Sequence, residues 1–387
     1  MTVPSGLAEG PIYLDYNATT PIDPAVVEAM LPYLTGGFGN PSSDHHYGVA
    51  PGAALEHARG QVAALVGARD GRIVFTGSGS EADNLALRGV VLAAETDRPH
   101  VITQTIEHPA VLQACQALRR HHGVEVTYLP VDADGVVDPA ALAAAFTDRT
   151  VLVSIMAANN ETGALQPIAE LARVTHEHGA VFHCDAAQAV GKIPLDVTDL
   201  DVDLLTVVGH KMYAPKGIAA LYVRPGLTLE PLVYGGGQEH GLRAGTENVA
   251  FAVALGTAAK LASADLAAGG HRRVQDLRDR LHDQLTKRLP GRVLLNGPAA
   301  ARLPNTLNIS IRGVTGHSLL AAMPGIAAST GSACHAGNHQ PSPVLTAMGL
   351  DTDRSMSALR LSLGRWSTPA DVDRATDLIT TATGSRD

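Results

Sequence analysis

The residues best able to do covalent chemistry in this chain are one lysine, one aspartate and one cysteine. Lys211 closes Gly209-His210-Lys211, directly after the apolar run 204–208, and Pro215-Lys216-Gly217 follows it. A lysine at a strand's carboxyl end can project into a ligand crevice, where a lowered pKa lets its amine attack a carbonyl. A solvated loop lysine is the commoner fate, and on this motif alone it is the better account. Asp185 ends the apolar run 180–185 and so points at the same crevice. A carboxylate there can pair with a protonated ring nitrogen, and Gln188 can donate a hydrogen bond to the same ring. Taken singly, Asp185 reads equally well as a helix N-cap.

A third feature changes the balance. Gly77-Ser78-Gly79-Ser80-Glu81-Ala82 follows an apolar run and opens a helical pattern. Hydroxyls and backbone N–H groups at a helix start bind phosphate. The segment also fits GxGxxA, with Glu95 near the spacing of a ribose-binding acid, so a dinucleotide site is a rival reading. A plain Ser-capped helix start is another. A phosphate loop, Lys211 and Asp185 together are best explained by a pyridoxal 5'-phosphate site. Cys334 lies in Ser329-Thr330-Gly331-Ser332-Ala333-Cys334-His335-Ala336-Gly337, small polar residues that leave a thiol accessible. Cys115, in a helical pattern, and Cys184, in a strand, read as structural. His335 and His339 have no third ligand at a suitable spacing, so no metal is expected.

These groups need a scaffold. The segments 73–75, 101–102, 124–129, 151–156, 181–185 and 204–208 read as strands, with helical patterns such as 110–120 and 167–178 between most of them. That alternation predicts an α/β domain with a largely parallel, doubly wound sheet, in which ligands bind beyond the strands' carboxyl ends. From Val249 the texture changes to a long helical stretch (249–289) broken at Gly269-Gly270. Strand-like segments at 305–311 and 359–363 and a helix after Pro369 follow it. The expected division is a large α/β domain over 16–265, with 1–15 and 266–387 forming a smaller α+β domain that carries the Cys334 loop. With 387 residues, 45% hydrophobic and 17% charged, the chain can bury such cores. A net charge of −9 without a basic run argues against nucleic acid. Residues 1–10 do not read as a signal peptide, and no apolar run approaches the roughly 20 residues of a membrane span. Three scattered cysteines argue against a disulfide framework. The expectation is a cytoplasmic protein without a membrane partner.

The chain resembles the cysteine desulfurases, the class V aminotransferase-like group of pyridoxal-phosphate enzymes. The resemblance runs from Tyr13-Leu14-Asp15-Tyr16-Asn17-Ala18-Thr19-Thr20-Pro21 to Arg360-Leu361-Ser362-Leu363-Gly364-Arg365. Between them lie Gly39-Asn40-Pro41-Ser42-Ser43, Glu107-His108, Asn159-Asn160-Glu161-Thr162-Gly163, Gly209-His210-Lys211 and Gly331-Ser332-Ala333-Cys334. It implies a fold type I pyridoxal-phosphate transferase in which Lys211 is the Schiff-base lysine and His108 stacks on the ring and moves protons. Asp185 and Gln188 match the partners of the ring nitrogen and ring oxygen, with Asn160 beside them and near the substrate. Gly79, Ser80 and His210 match the phosphate cradle, and Thr246 a threonine that reaches the phosphate across a homodimer interface. Arg360 matches the clamp on the substrate carboxylate, a task suited to its bidentate fork. Cys334 matches the nucleophile that takes sulfur from L-cysteine as a persulfide, leaving L-alanine, and delivers it to a sulfur-acceptor protein.

Two departures bear on this resemblance. Val208 stands where many desulfurases place a serine on the phosphate. Val208-Gly209-His210-Lys211, Cys334-His335 and Gln340-Pro341-Ser342-Pro343-Val344-Leu345 are also similar to selenocysteine lyases, so selenocysteine is the alternative substrate. The length of the 334–341 loop favours cysteine. A nicotinamide dehydrogenase would carry its phosphate loop in the first βαβ unit, whereas roughly 70 residues precede it here and Lys211 would be idle. A non-enzymatic sulfur or metal carrier would explain Cys334 and the 17 histidines but not Asp185 and Lys211.

Overall fold

The computed structural model describes residues 2–331 and 340–384; Cys334, His335 and His339 lie outside them. A seven-stranded sheet runs in the order Arg72–Thr76, Ala219–Val223, Leu204–Val208, Val181–Asp185, Thr150–Ser154, His100–Gln104, Glu125–Leu129. Only Ala219–Val223 runs antiparallel to its neighbours. Sequence periodicity locates the other six strands but not this one. Its five residues, Ala-Ala-Leu-Tyr-Val, join the sheet through pairing with two strands that are remote or reversed in the chain.

The strands read as unbroken apolar runs because both faces are covered. Ile73, Phe75, Ile102, Val153, Leu205 and Val207 pack into one buried cluster. Their immediate neighbours Val74, Val101, Leu152 and Leu204 pack into another, on the opposite face. Helices His46–Leu65, Ile168–Glu177 and Val249–Ala267 supply the first layer, Gly79–Ala93 and Pro109–His122 the second.

A smaller antiparallel sheet comprises Val293–Leu295, Thr306–Ile311 and Ala358–Ser362. Helices Gly270–Arg288 and Pro369–Gly384 bury Leu277, Leu281, Val372 and Ile379 against it, in a cluster that also contains Ile12 and Leu14. The N-terminal segment reaches this unit by pairing Ile12–Tyr13 with Ile326–Ala327. The expected break at Gly269-Gly270 is present: Gly269, at φ 77°, separates the two long helices.

One expectation needs correction. Helix Val249–Ala267 is, by length and composition, long and apolar enough to cross a bilayer. Lys260 and Asp265 interrupt the run, so the sequence shows no unbroken apolar stretch of that length. Ala252, Leu255, Ala258 and Ala259 pack in the first core cluster, so the helix is a core element.

Candidate active site

The carboxyl ends of the parallel strands open into one cavity of about 540 Å³. It lies where the sheet order reverses, because His100–Gln104 has its two chain-successive strands on opposite sides. This is the position at which open α/β sheets bind ligands.

The loop after Arg72–Thr76 enters helix Gly79–Ala93 through a capping arrangement. Ser78 Oγ accepts from the Glu81 amide (3.1 Å), and Glu81 Oε2 accepts from the Gly77 amide (2.8 Å). The free N–H groups of this helix start, with Gly79 and Ser80, face the cavity. Gly79 must be glycine: a Cβ there would come within 2.5 Å of Val208 Cγ2. Val208 therefore offers the loop an apolar wall instead of a hydroxyl. His210 stands beside it, its Nδ1 3.2 Å from Thr19 Oγ1.

Lys211 ends a single 3-10 turn, Gly209–Lys211, after strand Leu204–Val208. The turn is fixed from outside, with His210 O accepting from Thr20 N (2.9 Å) and Thr20 Oγ1 (3.1 Å). Lys211 Nζ donates to the carbonyls of Asn17 (2.6 Å) and Ala18 (2.7 Å). Burial lowers its pKa to about 8; Arg360 adds to the fall, and Asp185 and Asp15 oppose it. A reactive amine is thus available near neutral pH.

Asp185 is 5% exposed and accepts from the Ala187 amide at 2.9 Å. Two further carboxyls, Asp83 and Glu107, are buried close by. Burial first, then the charge of Asp185, pushes Glu107 up to about 8 and Asp83 well above its ordinary range. Three neighbouring buried carboxyls cannot all ionise. Burial also raises Asp185, but the Ala187 amide that donates to it, and the charge of Lys211 nearby, oppose that rise. The negative charge belongs there.

His108 caps helix Pro109–His122, its Nδ1 accepting from the Ala110 amide at 3.2 Å. That bond places the proton of the neutral ring on Nε2. Burial lowers the His108 pKa, so the neutral form is favoured. Arg360 enters from the smaller sheet. Its Nη2 donates to Asp15 Oδ1 (2.7 Å) and its Nη1 to Asn160 O (3.2 Å), while its buried Nε has no partner among the described residues.

Asn17 joins these groups. Its carbonyl accepts from Lys211 Nζ and from Gln188 Nε2 (3.0 Å), and its Nδ2 donates to Asn160 O (3.1 Å) and Thr306 Oγ1 (2.8 Å).

Gly79, Ser80, His108, Asn160, Asp185, Gln188, His210, Lys211 and Arg360, all singled out from sequence, therefore line the same cavity. Thr246 does not. It is exposed, in a segment tied to the phosphate loop by Arg243 Nε to Glu81 Oε1 (2.8 Å). Cys334 lies outside the described residues. Asn17 stands in the N-terminal motif of the sequence reading without a role, and Asp83 and Lys192 are absent from that reading; Lys192, four residues beyond Gln188, was discoverable as part of the same segment.

The donor set fits pyridoxal phosphate. A helix start with free N–H groups suits the phosphate, a carboxylate the ring nitrogen, and the unpartnered Arg360 Nε a substrate carboxylate.

The description "Aminotransferase class-V" matches residues 12–375. A cysteine desulfurase of Trichormus azollae is 48% identical over 370 residues, covering 95% of this chain and 92% of the relative. The cysteine desulfurase IscS of Rickettsia bellii is 44% identical over 372 residues, covering 95% and 90%. Among solved structures, a NifS-like protein superposes with a TM-score of 0.89 at 35% identity, covering 96% of this chain and 98% of its own. SspA in complex with cysteine gives 0.80 at 35% identity, covering 92% and 99%. Matched along nearly its whole length, the chain belongs to the class V aminotransferase family and, within it, to the cysteine desulfurases.

Proposed function

We propose that this enzyme converts L-cysteine to L-alanine and receives the sulfur on Cys334 as a persulfide, for delivery to a sulfur-acceptor protein. The observation that carries the reading is the convergence of an amine at about 8, a buried carboxylate and an arginine with a free Nε on one cavity. Pyridoxal 5'-phosphate, when bound, supplies an electron sink conjugated to the substrate's α-carbon.

The chain's residues take the remaining tasks. Lys211 holds the cofactor and then, as a free amine, takes the α-proton. Asp185 holds the ring nitrogen's proton, and Gln188 and Asn160 orient the ring oxygen side. Gly79, Ser80 and His210 cradle the phosphate. His108 covers the ring and carries a proton on Nε2. Arg360 clamps the substrate carboxylate, aided by Asn160. The Cys334 thiolate bonds to the substrate sulfur as the carbon–sulfur bond breaks, so cysteine and enzyme thiol give alanine and enzyme persulfide.

We further propose a homodimer in which Thr246 serves the partner's phosphate site, which accounts for its exposure in a single chain. We also propose a division into a 16–265 domain and a smaller domain built from 1–15 and 266–387; the separate buried clusters around the two sheets support it, with Leu303 packing across the boundary. The reducing cytosol suits the free, buried Cys115 and Cys184.

The test is direct. Purified protein should be yellow and form alanine from cysteine. Lys211→Ala should lose the visible band of lysine-bound cofactor and all turnover; an unchanged spectrum would refute the assignment.

A further inference from the structure

Lys192 is a second lysine at the site, with no part in the function proposed above. Its stem is partly exposed, but its amine is buried and meets two side-chain acceptors, Gln188 Oε1 at 2.7 Å and Asn17 Oδ1 at 3.2 Å. A carboxamide presents an acceptor at one end and donors at the other, and the two ends have nearly the same shape. What decides its orientation is the chemistry of its neighbours. The Asn17 carbonyl only accepts, so the end of the Gln188 amide beside it must be Nε2, and the end that faces Lys192 must be oxygen whatever the charge of the amine.

The consequence falls on the other end of the amide. Gln188 Nε2 carries two hydrogens, and the Asn17 carbonyl takes one of them at 3.0 Å. The second is left for the cavity that Gln188 lines. The same logic sets Asn17. Its Oδ1 faces two donors, Lys192 Nζ and Asn305 Nδ2 (2.9 Å), so its Nδ2 must turn to Asn160 O, which also receives Arg360.

We propose that Lys192 is a positioning residue: by donating to Gln188 Oε1 and Asn17 Oδ1 it holds the Gln188 carboxamide with its NH₂ group turned to the cavity. This rests on the reading that the cavity takes pyridoxal phosphate with Gln188 at the ring oxygen. The amine has two acceptors, enough for the two hydrogens of a neutral amine. Burial, then the charges of Lys211 and Arg360, push its pKa well down, in keeping with that count. Without Lys192, Gln188 Oε1 loses its donor while Asn17 Oδ1 keeps Asn305, and the Gln188 carboxamide, held at one end only by the Asn17 carbonyl, is free to rotate its NH₂ group away from the ring oxygen.

A hydrogen bond to the ring oxygen sets the proton affinity of the lysine-bound cofactor, so the pH midpoint of its visible band reads the orientation of Gln188. The ionisable groups around that band are Lys211, Lys216, Arg360, Asp15, Asp83, Glu107, Asp185, His108 and His210, and all are retained in the variants. Lys192→Met should move the midpoint by about one pH unit, equivalent to a tenfold change in proton affinity. Lys192→Arg, which keeps donors, should restore most of it. In a Gln188→Ala background the same Lys192→Met change should leave the midpoint where Gln188→Ala alone puts it. An unmoved midpoint, or an equal shift with Gln188 absent, would overturn the inference. If Lys192→Met does not fold, Lys192→Leu, which also lacks a donor, takes its place, with the same shift expected and an unmoved midpoint again overturning the inference. A wild type that shows no visible band with added pyridoxal phosphate would instead overturn the reading on which this rests.

Discussion

The lowered pKa of Lys211 has a thermodynamic consequence that needs no cofactor to observe. Burial, with Arg360 nearby, brings the amine from 10.5 to about 8 in the folded state. The unfolded chain keeps an ordinary lysine near 10.5. Below about pH 8 both states are protonated, and the folded state carries the full penalty of an enclosed ammonium. As pH rises from about 8 to 10.5, the unfolded state holds a proton that the folded state lacks, so stability rises. Above 10.5 the penalty is gone. At about 1.36 kcal/mol per pH unit its size is at most about 3.4 kcal/mol, and about 2–3 kcal/mol once solvent that reaches the amine through the cavity is allowed for.

Lys211→Met keeps the length of the side chain and removes the titration. It also removes two hydrogen bonds, to the carbonyls of Asn17 and Ala18. That loss shifts the variant's curve by a constant, because either form of the amine can donate to both. Urea unfolding of cofactor-free protein, followed by circular dichroism at fixed protein concentration, gives the two curves. Relative to the variant, the wild type should gain about 2–3 kcal/mol between about pH 7 and pH 10.5. Parallel curves would show that Lys211 titrates normally and would refute the account of its reactivity.

Other outcomes follow from particular contacts. Gly79→Ala drives a methyl group into Val208 Cγ2 and should weaken cofactor binding by about 1–3 kcal/mol, measured by fluorescence titration; Val208→Ala should recover most of the loss. Cys334→Ser should abolish alanine formation from cysteine while sparing selenocysteine, because selenide leaves without a nucleophile's help; mass spectrometry of the wild type after one turnover should find one added sulfur on the Cys334 peptide. Dilution to monomer should release cofactor if Thr246 completes the partner's site, and a monomer that retains cofactor would contradict the shared site.

The fold was legible where burial is two-sided. Val181–Asp185 and Leu204–Val208 coincide with their apolar runs, because a parallel strand covered on both faces has no polar alternation to blur it. The groups at the ends of those strands were legible for the same reason. Once the strand is placed, Asp185 and Lys211 must stand at the sheet's carboxyl edge. Ala219–Val223 escaped notice because nothing local marks an antiparallel return into a parallel sheet, whereas the helical stretch from Val249 and its break at Gly269-Gly270 were both legible.

What the sequence by itself determined is the chemistry on offer: a strand-end lysine, a strand-end acid, a phosphate-binding helix start, a thiol among small residues, and a family resemblance that orders them. Tertiary structure decided how those groups are held and charged. Asn17 meets partners 143, 171, 194 and 289 residues away, and Arg360 is oriented by Asp15, 345 residues distant. Asp83 and Glu107 become neighbours of Asp185 only when the sheet closes, and only then does their burial favour one charge among three. A pKa depends on what surrounds a group in space, and an amide's orientation on which atoms it faces. Neither is encoded within a few residues of the group itself, so both had to await the fold.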